Sequence, residues 1–96
     1  MGSEARILKQ VLDILRGNPK VYVLRMAHAP AGTPDVIACI NGKFMGIEVK
    51  EDVGGSYALT PQQKLRATQI LQAGGEFWVV DKHNVQYFSD AINAMC

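Results

Sequence analysis

The sequence predicts one α/β domain with the element order α-β-β-β-α-β, and three features of the chain lead to that prediction. Ninety-six residues with 48% hydrophobic and 20% charged content are typical of a single globular core. Two segments carry apolar residues at helical spacing, and four shorter segments are rich in β-branched and aromatic residues. An Asn-Gly dipeptide between two of the shorter segments is a strong local signal for a β-hairpin.

One helix and one strand are predicted before the hairpin. "SEARILKQVLDILRGNP" begins with Ser3 as a possible N-cap, carries apolar residues at helical spacing through Leu15, and stops at Gly17. "KVYVLRM", residues 20–26, has the composition of a strand. "AHAPAGTP" follows as a loop, because a glycine and two prolines in eight residues interrupt both helix and strand.

A second helix and a fourth strand are predicted after the hairpin. "LTPQQKLRATQILQAGG" has Thr60 as N-cap and Pro61 at the first helical position. "EFWVVD" is almost wholly apolar, which favours a strand at a buried position in the sheet, with Trp78 in the core. "VQYF" is interpreted as a returning strand, and "SDAINAM" as a short final helix capped by Ser89.

The turn fixes the pairing of the two hairpin strands. If the Asn-Gly dipeptide forms the two central turn residues, Ile40 faces Lys43, and each later pair has residue numbers that sum to the same value. Asp35 then lies directly opposite Glu48. Directly opposed residues share a face of the sheet, with Cβ atoms about 4.5–5.5 Å apart.

The two faces of this hairpin differ in character. One face is wholly apolar and is predicted to be core; its residues are Val36, Ala38, Ile40, Met45, Ile47 and Val49. The other face becomes polar toward its open end, where Asp35, Glu48 and Lys50 gather. On this second face we expect Cys39 to be a buried small hydrophobe and Gly46 to leave open space above the sheet.

Two opposed carboxylates repel each other unless something compensates their charge. A divalent cation would do so, since Mg²⁺ takes one or two carboxylates together with waters and phosphate oxygens. Lys50 would add a positive charge beside a reacting phosphate, so the set of residues favours metal-assisted phosphodiester hydrolysis. The alternative is a solvated ion pair between Glu48 and Lys50 at a strand end, and a register slip would also separate the two acids.

These residues resemble the PD-(D/E)XK nuclease signature, with Pro34-Asp35 followed by Glu48-Val49-Lys50. More narrowly, "GTPDVIACINGKFMGIEVK" followed by "LTPQQ" is similar to the VRR-NUC (virus-type replication-repair nuclease) branch. The resemblance covers residues 4 to about 81. It implies a restriction-endonuclease-like α/β core, in which helices flank a mixed central sheet.

The resemblance also implies roles for particular residues. Asp35 and Glu48 would ligate Mg²⁺ or Mn²⁺, the Val49 carbonyl would assist them, and Lys50 would serve the nucleophilic water. Gln63 would be the family's catalytic or substrate-orienting glutamine.

Two of the implied catalytic residues have structural alternatives. Gln63 also completes a capping box with Thr60, and one rotamer is not expected to fill both roles; Gln62 is the second candidate for the family glutamine. Glu4 continues an apolar stripe of the first helix, so it would lean toward the metal as the family's first-helix glutamate does. The alternative is a first-turn acid that favours the helix dipole.

Several basic residues are candidates for contacts with DNA phosphates, although a solvated surface role is the alternative for each. They are Arg25, His28, Lys43, Lys64 and Arg66. Tyr57 is a candidate for stacking on a base or sugar, with a place in the core as its alternative.

The predicted function is that of a metal-dependent endonuclease for branched DNA such as four-way (Holliday) junctions. Symmetric cutting of a junction needs two active sites, so we expect a homodimer, with its interface at the C-terminal segment (Ile92 and Met95) or on the exposed side of the first helix. Two alternatives stay open at this point. They are a general or nicking nuclease of plain duplex, and a non-catalytic nucleic-acid-binding module, which the net charge of +1 disfavours.

The expected location is intracellular, with no membrane partner. No apolar run approaches the ~20 residues that a membrane-spanning helix needs, and the N-terminus has no apolar signal core. The compact form of the chain suggests a phage-encoded protein.

Overall fold

A computed structural model of the chain describes residues 3–52 and 59–96, so Tyr57 lies outside the described residues. The described elements follow the order α-β-β-β-α-β-α. They are α1 (Ser3–Arg16), β1 (Val21–Arg25), β2 (Val36–Ile40), β3 (Lys43–Val49), α2 (Pro61–Gln72), β4 (Glu76–Val80) and α3 (Val85–Met95).

The four described strands form one mixed sheet in the order β1-β2-β3-β4. The first three strands pair antiparallel, and β4 pairs parallel to β3. Helices α1 and α3 pack together on one face, and α2 packs on β3 and β4 from the other face. This arrangement confirms the predicted fold class, an α/β fold with a restriction-endonuclease-like core.

The main core lies between one face of the sheet and the helices α1 and α3. All six hairpin residues predicted to be core are buried, the most exposed of them Ala38 at 3%. Helix α1 is strongly amphipathic and buries its apolar stripe against them, and α3 adds two fully buried side chains. The helix residues of this core are Ile7, Val11, Leu12, Leu15, Phe88 and Ile92.

The hairpin has the predicted register. Ile40 pairs with Lys43, and the pairing continues in step along both strands. Asn41 and Gly42 both have positive φ angles, 50° and 88°, as a two-residue hairpin turn of this type requires. Strand β2 begins one residue after Asp35, which therefore stands at the end of the preceding loop.

The C-terminal segment differs from the prediction. "VQYF" is not a strand, and Ser89 caps no helix, because α3 runs without a break and has Asn84 at its N-cap position. The spacing of Phe88 and Ile92 explains the difference, since side chains four residues apart lie on one helix face and both are fully buried here.

Strand β4 lies at an edge of the four-stranded sheet, although its apolar sequence predicted a buried position. Both of its faces are nevertheless partly covered. Helix α2 packs on one face, and on the other Trp78 contacts the rings of Tyr87 and Phe88 in α3 at centroid distances of 5.7 and 5.5 Å. Cover on both faces, without a central place in the sheet, accounts for the apolar sequence. Trp78 is half-buried and packs against the core.

Two expectations for the second face of the hairpin are wrong. Cys39 is exposed, because it lines an open apolar hollow in the sheet surface with Tyr22 and Leu24. Gly46 has no open space above it, because a Cβ atom there would lie 2.8 Å from the Ile70 side chain of α2 and 3.0 Å from that of Pro34.

Within the described part of the chain, none of the helices has the length and the apolar character that crossing a membrane would take.

Candidate active site

Asp35 is fixed at the open end of the hairpin by the strands on both sides. The backbone N–H of Val49 donates a hydrogen bond of 2.8 Å to Asp35 Oδ2. The backbone carbonyl of Asp35 accepts a hydrogen bond of 2.8 Å from Met26 N. The side chain therefore cannot turn away from β3 without losing a hydrogen bond to the backbone.

Glu48 is buried beside Asp35. Only 3% of Glu48 is exposed, and among the described residues its Oε2 atom has no hydrogen-bond partner. Burial, a hydrogen bond with Asp35 and the charge of Asp35, in that order of importance, together raise the pKa of Glu48 to about 8. The positive charge of Lys50 lowers this pKa, and the charge of Glu4 adds a smaller upward contribution.

Lys50 and Gln63 meet on the α2 side of the site. Lys50 Nζ donates a hydrogen bond of 3.2 Å to Gln63 Oε1, and the backbone N–H of Lys50 donates to the carbonyl of Val80 in β4. Gln63 Oε1 also accepts a hydrogen bond of 2.9 Å from Thr60 N, while Gln63 N donates to Thr60 Oγ1. One orientation of Gln63 thus completes the capping box and contacts Lys50, while the catalytic or substrate-orienting role of Gln63 stays a prediction.

Glu4 shares a cavity with Asp35 but does not join the two acids closely. It is exposed at the start of α1, and it lines a cavity of about 320 Å³ with Asp35, Leu8 and Arg25. Among residues 3–52 and 59–96, no three His, Cys, Asp or Glu side chains are grouped closely enough to hold a metal ion. The compact acidic unit is therefore the pair Asp35 and Glu48.

This acidic pair fits a hard divalent cation. Carboxylate oxygens are the ligands that Mg²⁺ prefers, and Mg²⁺ commonly takes one or two of them and completes its shell with water. The buried Oε2 of Glu48, unpartnered among the described residues, is a donor atom that a cation would satisfy. The part assigned to the Val49 carbonyl stays a prediction; what the structure adds is the hydrogen bond from the Val49 N–H to Asp35.

The predicted DNA-contacting residues lie in several places. Arg25 lines the Asp35 cavity, and His28 is exposed in the loop before Asp35, with a positive φ of 61°. Lys64 is exposed on α2, and Arg66 lines a separate apolar groove of about 620 Å³ and donates to Gln69. Lys43 starts β3 at the turn, about 16 Å along the strand from Glu48 at ~3.3 Å per residue.

One close contact that the sequence analysis did not identify joins the loop before Asp35 to α2. Gly32 has a φ of 84°, and a Cβ atom there would lie 2.6 Å from the backbone carbonyl oxygen of Gln62. Glycine is thus required both by the backbone angle and by the approach of α2. The sequence signal was the glycine of the Gly-x-Pro-Asp motif, but the partner of that glycine is 30 residues further along the chain.

Comparison with known proteins bears on the fold. No family model matches the chain, and no curated protein matches it. A solved structure described as a VRR_NUC domain is similar to it, with a TM-score of 0.75 and 19% sequence identity, over 94% of this chain and 97% of that one. The mixed sheet and its flanking helices thus belong to a known architecture. The chain has the VRR-NUC fold.

Proposed function

We propose that this chain is a metal-dependent DNA endonuclease that hydrolyses phosphodiester bonds in branched DNA such as four-way junctions. The observation that carries the proposal is the carboxylate of Glu48, buried against Asp35 with Lys50 on the same strand end. Burying a carboxylate beside another one opposes folding, so a functional use of the pair explains its presence better than a structural one. The VRR-NUC fold supports the same class of activity.

Each residue of the site has a part in the proposed reaction. Asp35 and Glu48 would hold Mg²⁺ or Mn²⁺. The bound ion would activate a water molecule and neutralise the negative charge that develops on the phosphate. The Val49 N–H binds Asp35 Oδ2 and so holds the Asp35 side chain beside Glu48. Lys50 would donate a hydrogen bond to the water or to a phosphate oxygen, and Gln63 Oε1 holds the Lys50 ammonium in place.

Cleavage of defined DNA substrates tests the proposal. End-labelled four-way junction, duplex and single-stranded DNA are incubated with the protein in Mg²⁺, Mn²⁺ or EDTA, with Asp35→Asn in parallel. We expect symmetric cuts on the junction that require a metal and disappear with Asp35→Asn. Equal cutting of plain duplex would support the proposed hydrolysis but contradict the proposed specificity for branched DNA. A folded protein that cuts no substrate in either metal would favour the binding-module alternative.

A homodimer would supply the second active site for symmetric cutting, and the exposed apolar side chains suggest its interface. Ile92 cannot contribute, because it is fully buried in the core, and Met95 packs against that core. The face of the sheet opposite α1 instead exposes Tyr22 (67%), Leu24 and Phe44. These three side chains line one apolar hollow, and contiguous exposed apolar surface of this kind marks interaction sites. We therefore propose that two copies meet through this face.

Light scattering tests the dimer. We expect a dimeric mass for the wild type and a monomeric mass for Phe44→Glu. Leu71→Glu is the matched control, because Leu71 is comparably exposed (56%) but lies on α2 and lines neither of the surface hollows that Phe44 lines. A monomeric mass for the wild type at working concentration would contradict the proposed dimer and would not affect the proposal for the cleavage chemistry.

A further inference from the structure

The cavity beside Asp35 continues as a groove along α1. It adjoins a second cavity of about 400 Å³, and the two share Ala5, Leu8 and Arg25 as lining residues. Leu12 adds to the apolar floor of the second cavity. The groove therefore runs from the candidate active site toward the C-terminal end of α1.

Charges are sorted along this groove. Its first part contains the acids Glu4 and Asp35, and its second part is lined by Lys9, Arg16 and Arg25 with a single acid, Asp13. Three of the ten Lys and Arg residues of a nearly neutral chain are thus collected in one groove. A local concentration of positive charge attracts a polyanion even when the whole molecule has little net charge.

The spacing of the basic residues suits a chain of phosphates. Lys9 and Arg16 are seven residues apart, so they lie on one side of α1 about 10.5 Å apart along its axis. Measured along the axis of a duplex, this distance corresponds to about three nucleotides of one strand at a rise of ~3.4 Å per nucleotide. Arg25 stands between these residues and the acids, since it lines both cavities.

We propose that the groove defined by Lys9, Arg16 and Arg25 binds the phosphodiester backbone of the DNA strand that leads away from the scissile bond. This proposal rests on the nuclease function proposed above. Backbone contacts of this kind carry no base information, so the groove sets affinity and the direction in which the strand leaves the site. The apolar floor at Leu8 and Leu12 faces the sugars.

Metal-free binding measurements test the groove, because nothing is cut in EDTA. Fluorescence anisotropy with labelled duplex and labelled four-way junction gives Kd at several salt concentrations. We expect Arg16→Gln to weaken binding by about 3- to 10-fold and to lower the slope of log K against log salt by about one, and Lys9→Gln with Arg16→Gln to lower it by about two.

Two further variants make the test specific. Arg6→Gln removes the same charge from the same helix, but Arg6 is exposed and lines neither cavity, so its Kd should stay within about 2-fold of wild type. Asp13→Asn frees Lys9 from an ion pair of 2.8 Å and should tighten binding by about 2- to 3-fold. Equal weakening by Arg6→Gln and Arg16→Gln would overturn the proposal, as would weaker binding by Asp13→Asn.

The binding and cleavage results can fail separately. Groove-dependent binding by a protein that cuts no DNA would uphold the backbone groove and reject the nuclease. The protein could instead cut DNA with a metal while Arg16→Gln and the double variant bind DNA as the wild type does. That result would support the nuclease proposal and reject the groove proposal.

Discussion

The two ends of the β2–β3 hairpin are built on different principles. At the turn end, Asn41 and Gly42 are exposed and take the positive φ angles of a two-residue turn. At the open end, Glu48 is buried and Asp35 is bound by a backbone N–H, with Lys50 tied to another segment of the chain. The same pair of strands thus has one end shaped by local preference and one end shaped by distant contacts.

The difference shows why the candidate site needs the whole fold. A turn depends mainly on the backbone preferences of its own residues. A buried carboxylate is unfavourable by itself and persists only where surrounding elements hold it. Around Glu48 those elements are the loop before β2, strand β4 and helix α2, which are distant in the sequence.

The largest expected effect comes from Glu48→Gln at the open end. Metal-dependent cleavage should fall by at least about 100-fold, because an ion ligand supplies several kcal/mol of transition-state stabilisation. The metal-free variant should nevertheless be more stable than the wild type above pH 8, by on the order of 2 kcal/mol. Urea unfolding in EDTA and the cleavage assay measure the two effects.

The pH dependence of that stability has a defined sign. The unfolded Glu48 loses its proton near pH 4.5, whereas the folded one keeps it up to about pH 8. Between these values the folded state binds more protons than the unfolded state, so wild-type stability falls as pH rises. Glu48→Gln lacks this titration, and the two proteins should differ least below pH 4.5. A difference that is constant from pH 4 to 9 would contradict the burial of Glu48.

Substitutions at two glycines allow a direct comparison of the two ends of the hairpin. Gly32 and Gly42 have similar φ angles of 84° and 88°, but a Cβ atom at Gly32 meets the backbone of Gln62, while one at Gly42 meets nothing within 4 Å. Gly42→Ala should destabilise by about 1 kcal/mol through the backbone angle alone, and Gly32→Ala by about 3 kcal/mol with loss of cleavage. Chemical denaturation gives both values, and equal losses would show that the α2 contact contributes nothing.

Variants at Gln63 and Thr60 distinguish the capping of α2 from the contact with Lys50. Gln63→Ala removes one cap hydrogen bond and the bond to Lys50, whereas Thr60→Ala removes a cap bond only. Both variants should lose about 1 kcal/mol of stability, and only Gln63→Ala should reduce the cleavage rate, by about 10-fold. Thermal unfolding and single-turnover cleavage provide the two readouts. An equal decrease in cleavage rate for Thr60→Ala would show that Gln63 acts only as part of the helix cap.

The smallest effect is expected for Cys39→Ser on the exposed part of the sheet. The side chain is exposed, so the free energy of unfolding should change by no more than about 0.5 kcal/mol. Urea unfolding at a protein concentration low enough to keep the chain monomeric measures it. A loss of 2 kcal/mol or more would mean that Cys39 is buried, as the sequence first suggested.

Several elements follow local rules and could be predicted from neighbouring residues. The Asn-Gly turn fixed the hairpin register, and period-2 alternation identified the face that is buried under α1 and α3. Helical spacing and the Thr60-Pro61 start predicted α2, whose capping box forms as expected. Each of these features depends on neighbouring residues, so it can be read without knowing where the rest of the chain goes.

Other features depend on contacts between segments far apart in the sequence, and these contacts became known only with the fold. The fold buried Glu48 on β3 and left Cys39 exposed on β2 on the same face of the sheet, because α2 packs over β3 and β4. It turned "VQYF" into helix, because Phe88 and Ile92 fill the core from one side of α3. Alternation gives the direction of a side chain but not what covers it, and that cover sets the burial and the pKa of Glu48.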